Sequence, residues 1–266
     1  MPNLTLPRLA GFVLGLSVMI AGPARADPLK DEIAPAGKLR VAIAISSAGG
    51  AFWSNKNESG GYTGVPVDLG KEMAARLGVP VEYVAYHNSG QITDVAANAL
   101  WDVTFVPQDA VRMTKMAFGP IYNVVDATYI VRPGSSVMNF AQLDQPGTRV
   151  AVEYNTTTMR GAVAHLKNAE VIEYQTFDEI FGLLKSGEVD AFALSRDRLD
   201  DMAKRIPGAR VLEETFRKTS TAVAVPTNHP LALAFAGKFM DDAISNGLLR
   251  RIYDNNGLEE MPIQTK

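Results

Sequence analysis

The chain has 266 residues, with 26 Lys+Arg against 29 Asp+Glu, three His and no Cys. Charge so close to balance argues against nucleic acid as a partner. The missing cysteines exclude disulfides, a thiolate metal site, a thiol nucleophile and an acylated-cysteine anchor. A hydrophobic share of 47% supports a real core, and 22 Gly with 15 Pro suits a loop-rich α/β chain.

Residues 1–26 read as a secretory signal. Arg8 supplies the positive start, Leu9 to Ile20 an apolar run, and Ala24-Arg25-Ala26 a small-x-small site, so cleavage is expected after Ala26. The run is too short and too Gly-interrupted to span a bilayer, and no other stretch is apolar enough to do so. Its removal takes Arg8 and Arg25 and no acid, which leaves a mildly acidic exported chain. Export without cysteine fits a Gram-negative periplasm better than a disulfide-forming secretion route.

The mature chain opens with a strand, Lys38 to Ile45, rich in β-branched residues. A polar, Gly-rich segment follows from Ser46 to Gly64, with Phe52, Trp53 and Tyr62 set into it. Val67 to Leu77 carries apolar residues at helical spacing and stops at Gly78, ahead of a strand from Val79 to Tyr86. Ser89 can cap a helix over Gln91 to Leu100, and Asp102 to Val106 is the next strand. This βαβαβ order implies a mostly parallel sheet covered by helices.

The same unit recurs. Arg149 to Glu153 reads as a strand, Thr157 to Lys167 as a helix, Val171 to Tyr174 as a strand, Asp178 to Lys185 as a helix and Val189 to Leu194 as a strand. The helix-to-strand junctions also correspond, with Asp190 standing where Asp102 stood. A strand at Thr221 to Val225, a long amphipathic helix at Leu231 to Asn246 and a short helix at Leu248 to Asp254 complete the chain. The expected architecture is α/β with two lobes, each a mostly parallel sheet flanked by helices. The first lobe takes residues 27–123 and 222–266 and the second takes 124–221. The chain crosses twice between them, near Tyr122 to Asp126 and Ser220 to Ala222, and these crossings form a hinge with the ligand cleft beside it.

This order of segments resembles the family-3 extracytoplasmic solute-binding proteins that feed ABC importers of polar amino acids. The resemblance covers nearly all of residues 37–258. It is carried by GKLRVAIA, GGYTGVPVDLGKEMAARLGVPVEYV, DVTFVPQDAVRMTKMAFGPIY, GTRVAVEYNTTT, SGEVDAFAL and SNGLLRRIYDNNG, in that order. It implies the two-lobed periplasmic binding protein fold, a small carboxylate-bearing ligand, an inner-membrane ABC permease as partner, a monomer and no cofactor.

In that family an Arg soon after a first-lobe strand holds the ligand's α-carboxylate, and Arg112 matches it, six residues before Phe118 of Phe118-Gly119-Pro120-Ile121-Tyr122. A planar guanidinium offers a carboxylate two parallel N–H donors. Taken without the resemblance, Arg112 is one arginine among many and reads equally as a solvated surface residue. The family's second-lobe clamp is a Gly-Thr-Thr turn opening a helix. Here the turn is Asn155-Thr156-Thr157, where Asn155 can adopt the left-handed conformation and Thr156 can serve as cap and ligand contact together.

Two departures from the family pattern bear on the ligand. The Asp that pairs with the ligand's α-ammonium is replaced by Ser195, which cannot neutralise a buried cation. Asp197, two residues on and at the same strand parity, can substitute if the loop turns inward, or can simply pair with Arg196 and Arg198, which flank it. The segment from Asp102 to Arg112 is also shorter than the family's, so Val106-Pro107-Gln108 replaces its Ser/Thr-rich turn. Both changes point to a ligand without a free α-amine, or to an amine held by Phe52, Trp53 or Tyr122 through cation–π contact.

His87, His165 and His229 have no metal-ligand spacing, and no nucleophile elbow, P-loop or dinucleotide fingerprint is present. His87, in a loop at a strand end, reads as a surface or capping residue. The expectation is a binding protein rather than an enzyme. Two other readings stay open. One is a periplasmic prephenate or arogenate dehydratase on the same fold, for which Glu153 and Asp109 are the available acids. The other is a ligand sensor that signals without transport.

Overall fold

The computed structural model describes residues 1, 27–45, 50 and 52–264. Residues 2–26 of the expected signal segment lie outside the described residues, as do Ser46–Gly49 and Ala51 of the Gly-rich loop. No helix among the described residues is long and apolar enough to cross a membrane.

A short helix, α1 (Pro28–Ile33), capped by Asp27, leads into β1 (Leu39–Ala44). A two-stranded ribbon of β2 (Asn55–Lys56) and β3 (Tyr62–Thr63) then feeds α2 (Val65–Leu77). This helix ends at Gly78, whose left-handed φ of 69° lets its N–H return to the last helical carbonyls. Next come β4 (Val81–Tyr86), α3 (Ser89–Asp94) and β5 (Val103–Pro107). Asn88 caps α3 in place of Ser89, and the helix stops at Asp94 before a 3₁₀ turn at Ala96–Asn98. Thr93 bonds its hydroxyl back to Ser89 O, and the apolar pattern beyond Asp94 serves the turn instead.

The strand β6 (Met116–Val131) is far longer than the sequence pattern suggests, because Gly119 and Pro120 interrupt its alternation. Beyond it lie α4 (Phe140–Leu143), β7 (Arg149–Glu153), α5 (Thr157–His165), β8 (Glu170–Tyr174), α6 (Phe177–Ser186) and β9 (Ala191–Ser195). The helix α7 (Arg196–Arg205) follows without a break, so Asp197 lies on a helix and strand parity does not apply to it. Then come β10 (Arg210–Val211), β11 (Arg217–Pro226), α8 (Pro230–Ser245) and α9 (Leu248–Asn255).

The strands run in the order β4-β1-β5-β11-β6-β9-β7-β8, with β10 on the side of β6. The triplets β4-β1-β5 and β8-β7-β9 are parallel and share one winding, which is the recurrence read in the sequence. Between them β6 and β11 run antiparallel through both halves. The first part of β6 pairs with Ala222–Pro226 and its last part, from Ala127, pairs with β9. Register shifts fall between Thr221 and Ala222 and between Ala222 and Ala224, opposite Phe118–Asn123. Such bulges bend a strand pair.

Each half has its own core. In the first, Leu39, Val41 and Ile43 of β1 pack with Leu69 and Met73 of α2 and with Phe239, Met240 and Tyr253 of the C-terminal helices. In the second, Ile130, Phe177, Ile180, Phe192 and Leu199 fill one face of the sheet and Tyr129, Val150, Val152 and Leu166 the other.

Candidate functional site

Two parallel strand pairs, running in opposite senses, end at one cavity between the halves: Ala44 of β1 and Pro107 of β5 from one side, Glu153 of β7 and Ser195 of β9 from the other. Ligands of open α/β sheets sit at the carboxyl ends of the strands. The cavity measures about 50 Å³. Trp53, Asn88 and Ser89 also line it from the first half and Thr156–Thr158 and Arg198 from the second, with Val125 and Thr219 of the crossing strands between them.

The halves are drawn together around it. Arg160 Nη2 of α5 lies 2.6 Å from Asp109 Oδ2, and Trp53 Nε1 donates to Asp197 Oδ2 at 2.8 Å. Asn155 Nδ2 donates to Asp94 Oδ1 at 2.9 Å, and Asn88 Nδ2 donates to Gln175 O at 3.2 Å. Gly90 lets the backbones meet, since a Cβ there would lie 2.5 Å from Tyr154 O.

Arg112 is wholly buried, which removes the surface-arginine alternative. Nη1 donates to Pro107 O at 2.8 Å, and Nη2 donates to Ser89 Oγ at 2.7 Å and to Asn155 O at 3.4 Å. The guanidinium thus stands behind two cavity residues and reaches across to the opposing turn. Burial, aided by the neighbouring Arg160 charge, lowers it to about 9, so it remains a cation at neutral pH.

Asn155 takes the left-handed conformation, φ 48°, as its place in the turn requires. Thr156 caps α5, accepting from Met159 N at 3.1 Å while its hydroxyl donates to Glu153 O at 2.9 Å. Thr157 and Thr158 form the first helical turn at the cavity wall, where N–H groups lack intrahelical acceptors. Ser195 also lines the cavity, its Oγ buried without a hydrogen-bond partner.

The two loop aromatics part ways. Trp53 lines the cavity, with the Arg198 guanidinium carbon 5.8 Å from its ring centroid. Phe52 is buried in the first-half core, stacked on Tyr122 at 5.9 Å and edge-on to Tyr253, and does not line the cavity. Tyr122 belongs to the same core, and His87 is exposed at its strand end.

The charged residues at the wall are Glu153, read in the sequence only as an acid available to a dehydratase, and Arg198, read only as a flank of Asp197. Burial pushes Glu153 up to about 7 against the opposing pull of Arg198, Asn88 and the Phe177 N–H. Arg198 is lowered by burial, with Glu153 and Asp197 opposing. The local signal for Glu153 was present, an acid at the end of an otherwise apolar strand. Arg196, expected beside Asp197, instead donates to the carbonyls of Leu212, Glu213 and Glu214. Asp109 is held by Arg160 and the Arg112 N–H, which together keep its pKa below the usual carboxylate value.

The family description "Bacterial extracellular solute-binding proteins, family 3" matches residues 40–258. The chain belongs to this family. A glutamine-binding protein from Geobacillus stearothermophilus is 24% identical to this family-3 protein over 203 residues, 71% of this chain and 72% of that one. Among solved structures, an ancestral amino-acid-binding protein described as a precursor of cyclohexadienyl dehydratase superposes with a TM-score of 0.74 at 25% identity, over 86% of this chain and 99% of the other. Holo ArgBP from T. maritima superposes with a TM-score of 0.71 at 24% identity, over 84% and 99%. An amino acid ABC transporter substrate-binding protein from Streptococcus pneumoniae, bound to L-arginine, gives 0.74 at 19% identity, over 86% and 98%. These neighbours share its two-lobed α/β architecture, and solute binding of the amino-acid type is the family's role.

Proposed function

We propose that this protein captures a small carboxylate-bearing solute of the amino-acid class in the periplasm and presents it, as a monomer, to an inner-membrane ABC permease. The observation that carries this reading is the convergence of four strand ends and the N-terminus of α5 on one interlobe cavity, with the buried Arg112 bonded to Pro107 and Ser89 behind its wall. In this reading residues 27–123 and 222–266 form one lobe and 124–221 the other. The paired crossings of β6 and β11 serve as the hinge. Arg112 anchors the carboxylate from behind Ser89, and Thr156 and Thr157 complete the clamp with hydroxyl and helix N–H donors. Closure is a population shift, because a solute touching both lobes favours the state in which they meet.

A thermal-shift screen of residues 27–266, stripped of co-purified solute, tests this. The probes are amino acids paired with their amine-free acids. At about 100 times its dissociation constant a ligand adds roughly 2.7 kcal/mol, a rise of roughly 5–10 °C in midpoint. Silence from every carboxylate would sink the reading.

One observation favours a second reading. Glu153 lies at the cavity wall with its carboxyl raised to about 7, which suits a general acid protonating a leaving hydroxyl, the chemistry a prephenate or arogenate dehydratase requires. Asp109, the other acid considered, is committed to Arg160. Turnover of prephenate, lost in Glu153→Gln, would move the assignment to the enzyme.

A further inference from the structure

The wall of the cleft carries a set of acceptors that the carboxylate clamp does not use. Glu153 is 1% exposed, Ser195 5% and Thr219 3%. Glu153 Oε1, Ser195 Oγ and Thr219 Oγ1 are each buried without a hydrogen-bond partner, and all three residues line the same cavity. Buried polar atoms left unpaired cost free energy and are rare in native proteins, so three at one cavity of about 50 Å³ call for a ligand.

A primary ammonium has three N–H donors and no acceptor, which matches one carboxylate oxygen and two hydroxyl oxygens. The placement also accounts for Ser195. Strands β7 and β9 are parallel neighbours, with Ala151 opposite Phe192, and their last residues, Glu153 and Ser195, line the same cavity. The acid absent at the end of β9 is thus supplied one strand over, by β7.

We propose that Glu153, Ser195 and Thr219 form an ammonium subsite, and that the solute is compact and carries a protonated amine beside its carboxylate. This rests on the solute-capture reading above. Compactness follows from volume. At about 10–15 Å³ per water, the cavity of about 50 Å³ holds roughly four waters, the bulk of an amino acid with a minimal side chain.

The groups acting on Glu153 are Arg198 of α7, Asp178 of α6, Asn88 ahead of α3 and the N–H of Phe177. A ligand cation arriving among them favours the ionised carboxylate. Binding below neutral pH therefore expels a proton, and affinity rises from pH 6 to pH 8.

The test is calorimetry on residues 27–266 at pH 6 and pH 8, in buffers of different ionisation enthalpy. The probes are glycine and L-alanine, their amine-free counterparts acetate and propionate, and L-arginine as the bulky case. Glycine or L-alanine is expected to bind at least about 100-fold tighter than acetate or propionate, with proton release at pH 6 and little at pH 8. Glu153→Gln is expected to weaken amino-acid binding at least about tenfold at pH 8 and to abolish the proton release, and Glu153→Asp, which keeps the charge, to restore part of both. Equal affinity for L-alanine and propionate, or proton release persisting in Glu153→Gln, would overturn the subsite. Tighter binding of L-arginine than of glycine and L-alanine would overturn the compact ligand. If no probe binds, the solute-capture reading fails with it, whereas binding lost on clamp substitutions but indifferent to Glu153 refutes the subsite alone.

Discussion

Trp53 of the cavity wall is joined to Asp197 across the cleft, its indole N–H donating to Oδ2 at 2.8 Å. The bond exists only while the lobes meet, so its energy belongs to the closed state and not to either lobe's folding. A hydrogen bond to a charged acceptor contributes about 1.5–3 kcal/mol. Trp53→Phe keeps the ring and removes the donor. It is expected to weaken solute affinity by about tenfold or more in calorimetry while the ligand-free melting midpoint holds. A fall in the midpoint with affinity intact would place the bond among the folding contacts.

Gly90 offers a steric test of the same closure. A methyl at this position meets Tyr154 O at 2.5 Å and Asn155 Cβ at 2.8 Å, both across the cleft. Backbone oxygen cannot swing aside as a long side chain can. Gly90→Ala is therefore expected to prop the lobes apart, with a larger radius of gyration in X-ray scattering under saturating ligand and an affinity lower by at least about tenfold. Within its own half the methyl also meets Asn88 Oδ1 at 3.0 Å, the oxygen that caps α3, so the helical gain of alanine is offset there and only a small change of ligand-free stability is expected.

The alternation of strands and helices was legible because each lobe repeats one βαβαβ pattern with clear periods, and the corresponding aspartates 102 and 190 marked the repeat. What escaped reading has physical causes. Helix α7 buries only Leu199 and Met202 on an otherwise charged sequence, so nothing announced it, and Asp197 was read as an extension of β9. Phe52 and Trp53 are neighbours in sequence yet one enters the core and the other the cleft, which no local pattern distinguishes. Arg112 and Thr156 were findable through the family's motifs. Glu153 was visible only as an acid at a strand end, and its burial depends on the opposing lobe and on α7.

Asp102 and Asp190 make the repeat testable as architecture. Asp102 accepts from the Arg40 backbone N–H at 2.8 Å and from its Nη2 at 2.6 Å. Asp190 accepts from the Arg149 N–H at 2.9 Å and from Nε at 3.3 Å. Each carboxylate thus ties the start of one central strand to the neighbouring strand, at the end remote from the cleft. The Asp102 side chain is 3% exposed and that of Asp190 25%, so the first pair is screened less by water. Asp102→Asn is expected to cost about 1.5–3 kcal/mol, a drop of several degrees in midpoint, and Asp190→Asn less. Solute affinity should be unchanged in both, and a loss of affinity would mean that these junctions reach the site.

Glu153 gives stability a pH dependence of unusual sign. Its carboxyl is raised from 4.5 to about 7 in the folded chain, chiefly by burial. Between those values the folded state binds more protons than the unfolded one, so this contribution is fully present below about pH 4.5 and is lost as pH rises through 7. At about 1.36 kcal/mol per pH unit, the loss amounts to about 3 kcal/mol by pH 8. Glu153→Gln cannot ionise and escapes it. In the absence of ligand, the variant's midpoint is expected to match the wild type near pH 5 and to exceed it by several degrees at pH 8. Equal midpoints at both pH values would mean that Glu153 is solvated in solution, whereas a lower midpoint for the variant at pH 8 would mean that its ionised carboxylate, paired with Arg198, stabilises the fold.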